Sequence, residues 1–193
     1  MNHRIVLTRP GGYVSIVCPS MNAIRYMGSG GRWPGATRGW LDQQIERSLT
    51  AGMAEAAVRR HVHAMQFGGC TTAEALAIIR DRDCAHRGTG IELWPAQDVS
   101  ADRWFRDAWR RAESGGPIWI DLPTARLIQL RKTEQAVGRH NKAAVEEDDR
   151  VSLAGRLTNG PAFVEFDRRR IRDRLLAAST LEQVRAVWPE GLT

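Results

Sequence analysis

A chain of 193 residues with 42% apolar content is long enough for one domain, or for a main domain with an appendage, and apolar enough to argue against wholesale disorder. No apolar run approaches the roughly 18–20 residues of a membrane-spanning helix, MNHRIVLTRPGGYV has no signal-peptide core, and three scattered cysteines (Cys18, Cys70, Cys84) make no disulfide framework. The net charge is +6, carried almost wholly by arginine, with Lys132 and Lys142 the only lysines; this favours phosphate or carboxylate recognition, although arginines spread over the whole chain are also what a GC-rich genome produces.

Residues 4–8 (RIVLT) and 13–18 (YVSIVC) are rich in β-branched residues and flank the turn sequence RPGG, which predicts an N-terminal β-hairpin ended by Pro19. Residues 28–39 (GSGGRWPGATRG) hold five Gly and one Pro and read as a linker, with Trp33 as a packing anchor. Three short helices follow. Over 38–50, Leu41, Ile45, Ser48 and Leu49 share a face, with Asp42, Glu46 and Arg47 outward; over 53–66 the face is Ala54, Val58, His61, Val62 and Met65. The third runs from Thr71 to about Arg82, opens with the capping-box spacing Thr71–Glu74 and buries Leu76 and Ile79.

Residues 89–94 predict a strand stopped by Pro95. A helix is expected over 100–113, capped by Ser100 or Asp102, with the apolar stripe Phe105, Ala108, Trp109 and Ala112. Gly115-Gly116-Pro117 breaks it, and 118–122 reads as a strand. A long helix starts at Pro123. It is expected to stop near Glu146, because Glu146-Glu147-Asp148-Asp149 is unfavourable at a helix C-terminus. A helix over 162–177 with Phe163, Phe166 and Leu175 inward, and a short one from Thr180 stopped by Pro189, complete the chain. The expected fold is α+β and predominantly helical. Its parts are a hairpin (1–27), a Gly-rich linker (28–39), a mainly helical core domain (40–122) and a C-terminal helical region (123–193).

The chemistry-bearing residues form no catalytic or metal constellation by spacing. His61 and His63 point about 200° apart on a helix, Cys84 and His86 lack a second ligand pair nearby, and GSGGRWPG lacks the lysine of a phosphate loop. No cofactor is expected. The helices over 53–66 and 71–82 have a helix-turn-helix outline, but the second offers mostly alanine where base-reading side chains would stand. RRRIRDR (168–174) is the densest basic run; acids interleave it, as on a solvated, salt-bridged face, and it also suits an acidic partner.

RIVLTRPGGYVSIVCP (4–19), DRWFRDAW (102–109), DLPTAR (121–126) and RIRDRLLAASTLEQVRAVWPEGL (170–192) occur in that order. As an ordered set they resemble small proteins encoded in the tail-gene region of tailed phages and prophages. The final part also resembles phage tail-assembly chaperone proteins. The resemblance extends over about half the chain, and the 28–90 segment is an addition to the pattern. The resemblance brings no catalytic residues. It implies a non-enzymatic protein of the host cytoplasm or the virion, with other phage tail proteins or a host protein as partner and self-association compatible with it. Candidate contact residues are Trp33, Trp94, Trp119, Arg168, Arg169, Arg170 and Arg172. Rival readings are an inhibitor of a host nucleic-acid-directed defence system or a regulator with weak, non-specific nucleic-acid affinity, and a metal- or thiol-dependent enzyme built on Cys84 and His86.

Overall fold

The computed structural model describes residues 3–192. The fold is α+β, with 54% of residues in helix and 15% in strand. It divides into two compact units: residues up to Arg103 together with Trp109–Trp119, and Trp104–Ala108 together with the residues from Ile120 on.

In the first unit, β1 (His3–Arg9) and β2 (Tyr13–Val17) form the expected hairpin, with Arg9 opposite Tyr13. Gly11 and Gly12 take φ of 80° and 77° in the turn, which glycine adopts without a Cβ penalty. The sheet has five strands in the order β3-β1-β2-β4-β5, adding β3 (Thr89–Pro95), β4 (Trp109–Ala112) and β5 (Gly115–Ile120). Strand alternation sends Ile5 and Leu7 into a core with α1 (Met21–Ser29), α3 (Glu55–Phe67) and α4 (Thr72–Asp83). That core collects Met27, Met65, Leu76 and Ile79. Helix α2 (Arg38–Thr50) packs on α3 with a half-buried face, Leu41, Ile45, Ser48 and Leu49, as its periodicity predicts. Thr71 and Glu74 form the capping box at the start of α4. Helix α1 is additional to the sequence reading. Ser20 caps it by accepting from the Ala23 N–H, and Ile24 and Met27 bury its inner face.

The second unit is organised on α5 (Leu122–Leu153), a helix of 32 residues. Its first half packs on α6 (Arg168–Ala177), α7 (Leu181–Arg185) and the 104–108 segment. The core there joins Phe105, Leu130, Ile171, Leu175, Val184 and Val187.

Three elements differ from the sequence reading. The helix expected over 100–113 does not form; a 3-10 turn at Arg106–Ala108 leads into β4 instead. Its apparent stripe is split: Phe105 and Ala108 sit in the core of the second unit, Trp109 is buried in a strand of the first unit, and Ala112 is exposed. Helix α5 does not stop at the acidic run but continues to Leu153. The run is interior to the helix, Lys142 and Arg150 pair with Glu146 and Glu147, and Arg150 supplies a cation to the last turn. The helix expected from 162 begins at Arg168, where Asp167 caps by accepting from the Arg170 N–H, and Phe163, expected inward, lies ahead of the helix and is exposed.

Candidate contact surface

The Gly-rich 28–39 segment is not a free tether. Helix α1 ends at Gly30 (φ 72°), and α3 ends at Gly68 (φ 77°). The two backbones meet so closely that a Cβ on Gly68 would lie 2.5 Å from the Gly30 nitrogen. The Gly31 and Arg32 amides donate to the carbonyls of Gln66 and Met65 at 3.0 and 2.9 Å, and the Gly69 amide donates back to the Gly28 carbonyl at 2.8 Å. The pinned loop sets Trp33 against the first core. Its ring stands edge-on to Trp40 (5.3 Å between centroids) and to His61 (6.0 Å). Residues Trp33–Thr37 and Trp40 line a shallow cleft of about 410 Å³. Trp40, 37% exposed, was not among the sequence candidates. The signal for it was the pair of Arg-Trp clusters, Arg32-Trp33 and Arg38-Gly39-Trp40, inside the loop composition.

Trp94 is half-buried and serves an internal network. Its indole N–H donates to Glu92 Oε2 at 2.8 Å. Arg111 is fully buried beside it: Nε donates to the Gly116 carbonyl at 2.7 Å, Nη1 to the carbonyls of Gly90 (2.5 Å) and Val6 (3.4 Å). Its Nη2 makes an ion pair with Glu92 Oε1 at 2.5 Å, though without the alignment of a hydrogen bond. The Trp94 indole N–H, together with the Gly116 amide and the Arg111 charge, holds the Glu92 carboxyl below its ordinary pKa. Trp119 lies on the edge strand β5 and is 51% exposed.

The basic run of α6 is largely paired. Arg168 contacts Glu134 at 3.3 Å, Arg170 contacts Glu190 at 2.7 Å and Arg172 contacts Asp173 at 3.7 Å; Arg169 is exposed. These arginines lie in the second unit and the three tryptophans in the first, so the candidates are not one cluster within either unit.

His61 and His63 diverge as helical geometry requires. His61 is buried, and burial, helped by the nearby Arg82, lowers its pKa to about 4. His63 is exposed against the Phe67 ring at 4.9 Å. Cys84 is buried, its thiol pushed up to about 11 by burial and the Asp83 charge, and His86 is exposed. No group of three or more metal-ligating side chains occurs among the described residues. No helix among them is long and apolar enough to cross a membrane.

The second unit carries an arm. Beyond Val137, α5 has no buried residue. Val145, Leu153, Leu157 and Phe163 are exposed, Leu153 at 89% and Leu157 at 101%. The return segment is tied to the helix by Asn141, whose side chain donates to and accepts from the Val164 backbone at 3.0 and 2.8 Å.

No family model matches the chain. No curated protein and no solved structure matches it either.

Proposed function

We propose that this is a non-enzymatic, phage-encoded protein that works by protein–protein contact, as a tail-associated component or a tail assembly factor in the host cytoplasm or the virion. The observation that carries the contact reading is the arm formed by the distal half of α5 and the turn after it. Leu153, Leu157 and Phe163 stand in solvent there. Exposed apolar side chains mark an interaction site when they are grouped rather than scattered, and these three fall within one short stretch of chain. The ordered motifs of residues 4–19, 102–109, 121–126 and 170–192 supply the phage-tail context. The protonated, buried Cys84 thiol is a poor nucleophile, which supports contact over thiol chemistry.

The chain, tagged and produced together with the tail genes of its phage, should co-purify with a tail protein identified by mass spectrometry. The double variant Leu153→Ser, Leu157→Ser should lose that protein while remaining folded by circular dichroism. Retention of the same tail protein by the double variant removes the arm from the reading. Absence of the chain from virions and from tail intermediates alike removes the tail assignment.

A further inference from the structure

A second surface, unrelated to the arm, has the chemistry of a different ligand. Trp33 and Trp40 form an aromatic cleft with an apolar, backbone-rich lining. Arg32 precedes Trp33 in the chain; its guanidinium and that of Arg25 lie 5.5 and 5.3 Å from the Tyr26 ring centroid, and Tyr26 packs on the same core as Trp33. Arg38 opens α2 two residues before Trp40. Some arginines meet carboxylates, among them Arg59 with Glu55, Arg60 with Asp81, Arg82 with Asp83, Arg150 with Glu147 and Arg168 with Glu134. Arg25, Arg32 and Arg38 have no carboxylate within ion-pair distance among the described residues. Both guanidinium groups lie over the Tyr26 ring, and Arg25, Arg32 and Arg38 are all exposed.

We infer that this cleft binds single-stranded nucleic acid, bases stacking on the exposed indole of Trp40 and phosphates lying on Arg25, Arg32 and Arg38. The ligand must offer flat π faces and repeated negative charge together, and a single strand does both. An acidic peptide answers the arginines but not the indoles. A proline-rich peptide answers the indoles but gains nothing from the arginines. The lining also fixes the kind of recognition. Of Trp33, Pro34, Gly35, Ala36, Thr37 and Trp40, only Thr37 has a hydrogen-bonding side chain outside the indoles, and its hydroxyl is engaged by the Trp40 amide in capping α2. Nothing there reads base edges, so binding is tolerant of sequence.

The test is fluorescence anisotropy with a labelled oligothymidine of about 20 nucleotides, longer than the roughly 4–16 typical of one such site, against an abasic strand of the same length. The whole chain is used, at low salt and over a salt series. Oligothymidine should bind more tightly than the abasic strand. Trp40→Ala should weaken oligothymidine binding about 5- to 100-fold, as expected for one stacked base, and leave abasic binding unchanged. Arg38→Glu should lower the slope of log K against log salt by about 0.7 for the lost phosphate contact. It keeps the test decisive if the Trp40→Ala chain fails to fold. Trp119→Ala, at an exposed tryptophan on another element, should change nothing. Equal affinity for the two strands, an unaltered salt slope in Arg38→Glu, or a cleft that takes a proline-rich peptide and not oligothymidine overturns the assignment.

Discussion

Arg111 in the first unit and Gln129 in the second are both shut away from water, and the two units satisfy them by different means. Arg111 brings a full charge into the sheet. Its guanidinium links β1, β3 and β5 through three backbone carbonyls, and its counter-charge, Glu92, keeps a side chain 40% exposed. Gln129 brings a neutral amide. Its Nε2 donates to the carbonyls of Arg185 (3.3 Å) and Val187 (3.0 Å), and its Oε1 accepts the Trp104 indole N–H at 2.9 Å. Each side chain ties together segments far apart in sequence. The difference lies in what is left after removal: carbonyls and an unbalanced carboxylate in one case, neutral groups alone in the other.

The largest expected effect follows from that asymmetry. Arg111→Met should destabilise the protein by about 3–5 kcal/mol, because it strands the carbonyls of Val6, Gly90 and Gly116 at about 1–3 kcal/mol each, as read by urea unfolding. A loss below about 1 kcal/mol would show that the strands hold without the cross-link. Gln129→Leu preserves volume approximately but strands one indole N–H and two carbonyls. About 2–3 kcal/mol is expected, less than at Arg111. A reversed order would break the distinction between charged and neutral cross-links.

A third buried polar group behaves as neither. For His61, burial and the Arg82 charge outweigh the favourable charge of Asp83 and hold its folded pKa at about 4 against 6.5 when unfolded. As pH falls below 6.5 the unfolded chain takes up the proton first, so stability declines down to about pH 4 and this contribution then levels off. Between about pH 7 and pH 5 the loss is about 2 kcal/mol from this residue. His61→Gln should flatten that part of the stability–pH curve. A variant with the wild-type slope would assign the pH dependence to other groups.

What was legible in the sequence was local. The hairpin, the capping box at Thr71 and Glu74 and the His61–Met65 face each follow from residues within a few positions of one another. What was illegible needed a distant partner. Phe105, Ala108 and Trp109 have helical spacing, but they are divided between the two units, and only the tertiary structure separates them. Arg111 reads as one more arginine until Val6 and Gly90 are brought to it. The acidic run after Val145 misleads for the opposite reason: it obeys a local rule about helix ends only if the helix ends there, and the helix continues past it to Arg150 and Leu153. Of the candidate surface, Trp33 was legible from its place in the loop. Trp40 was hidden because its helix looked like an ordinary amphipathic one.

The smallest effect is expected on the arm, and it separates the two halves of α5. Val137 is 4% exposed and Leu153 is 89% exposed, on one continuous helix. Val137→Ala removes buried methyl groups and should cost about 2 kcal/mol. Leu153→Ser removes a larger apolar side chain from solvent and should change stability by no more than about 0.5 kcal/mol. The helix itself does not depend on Leu153, because Lys142–Glu146 and Glu147–Arg150 support the distal turns locally. A sequence whose only task at this position were folding would gain solubility by replacing the leucine. If Leu153→Ser instead destabilises the protein by as much as Val137→Ala, the distal half is part of the core of the second unit in solution, and the exposed leucines no longer speak for a partner.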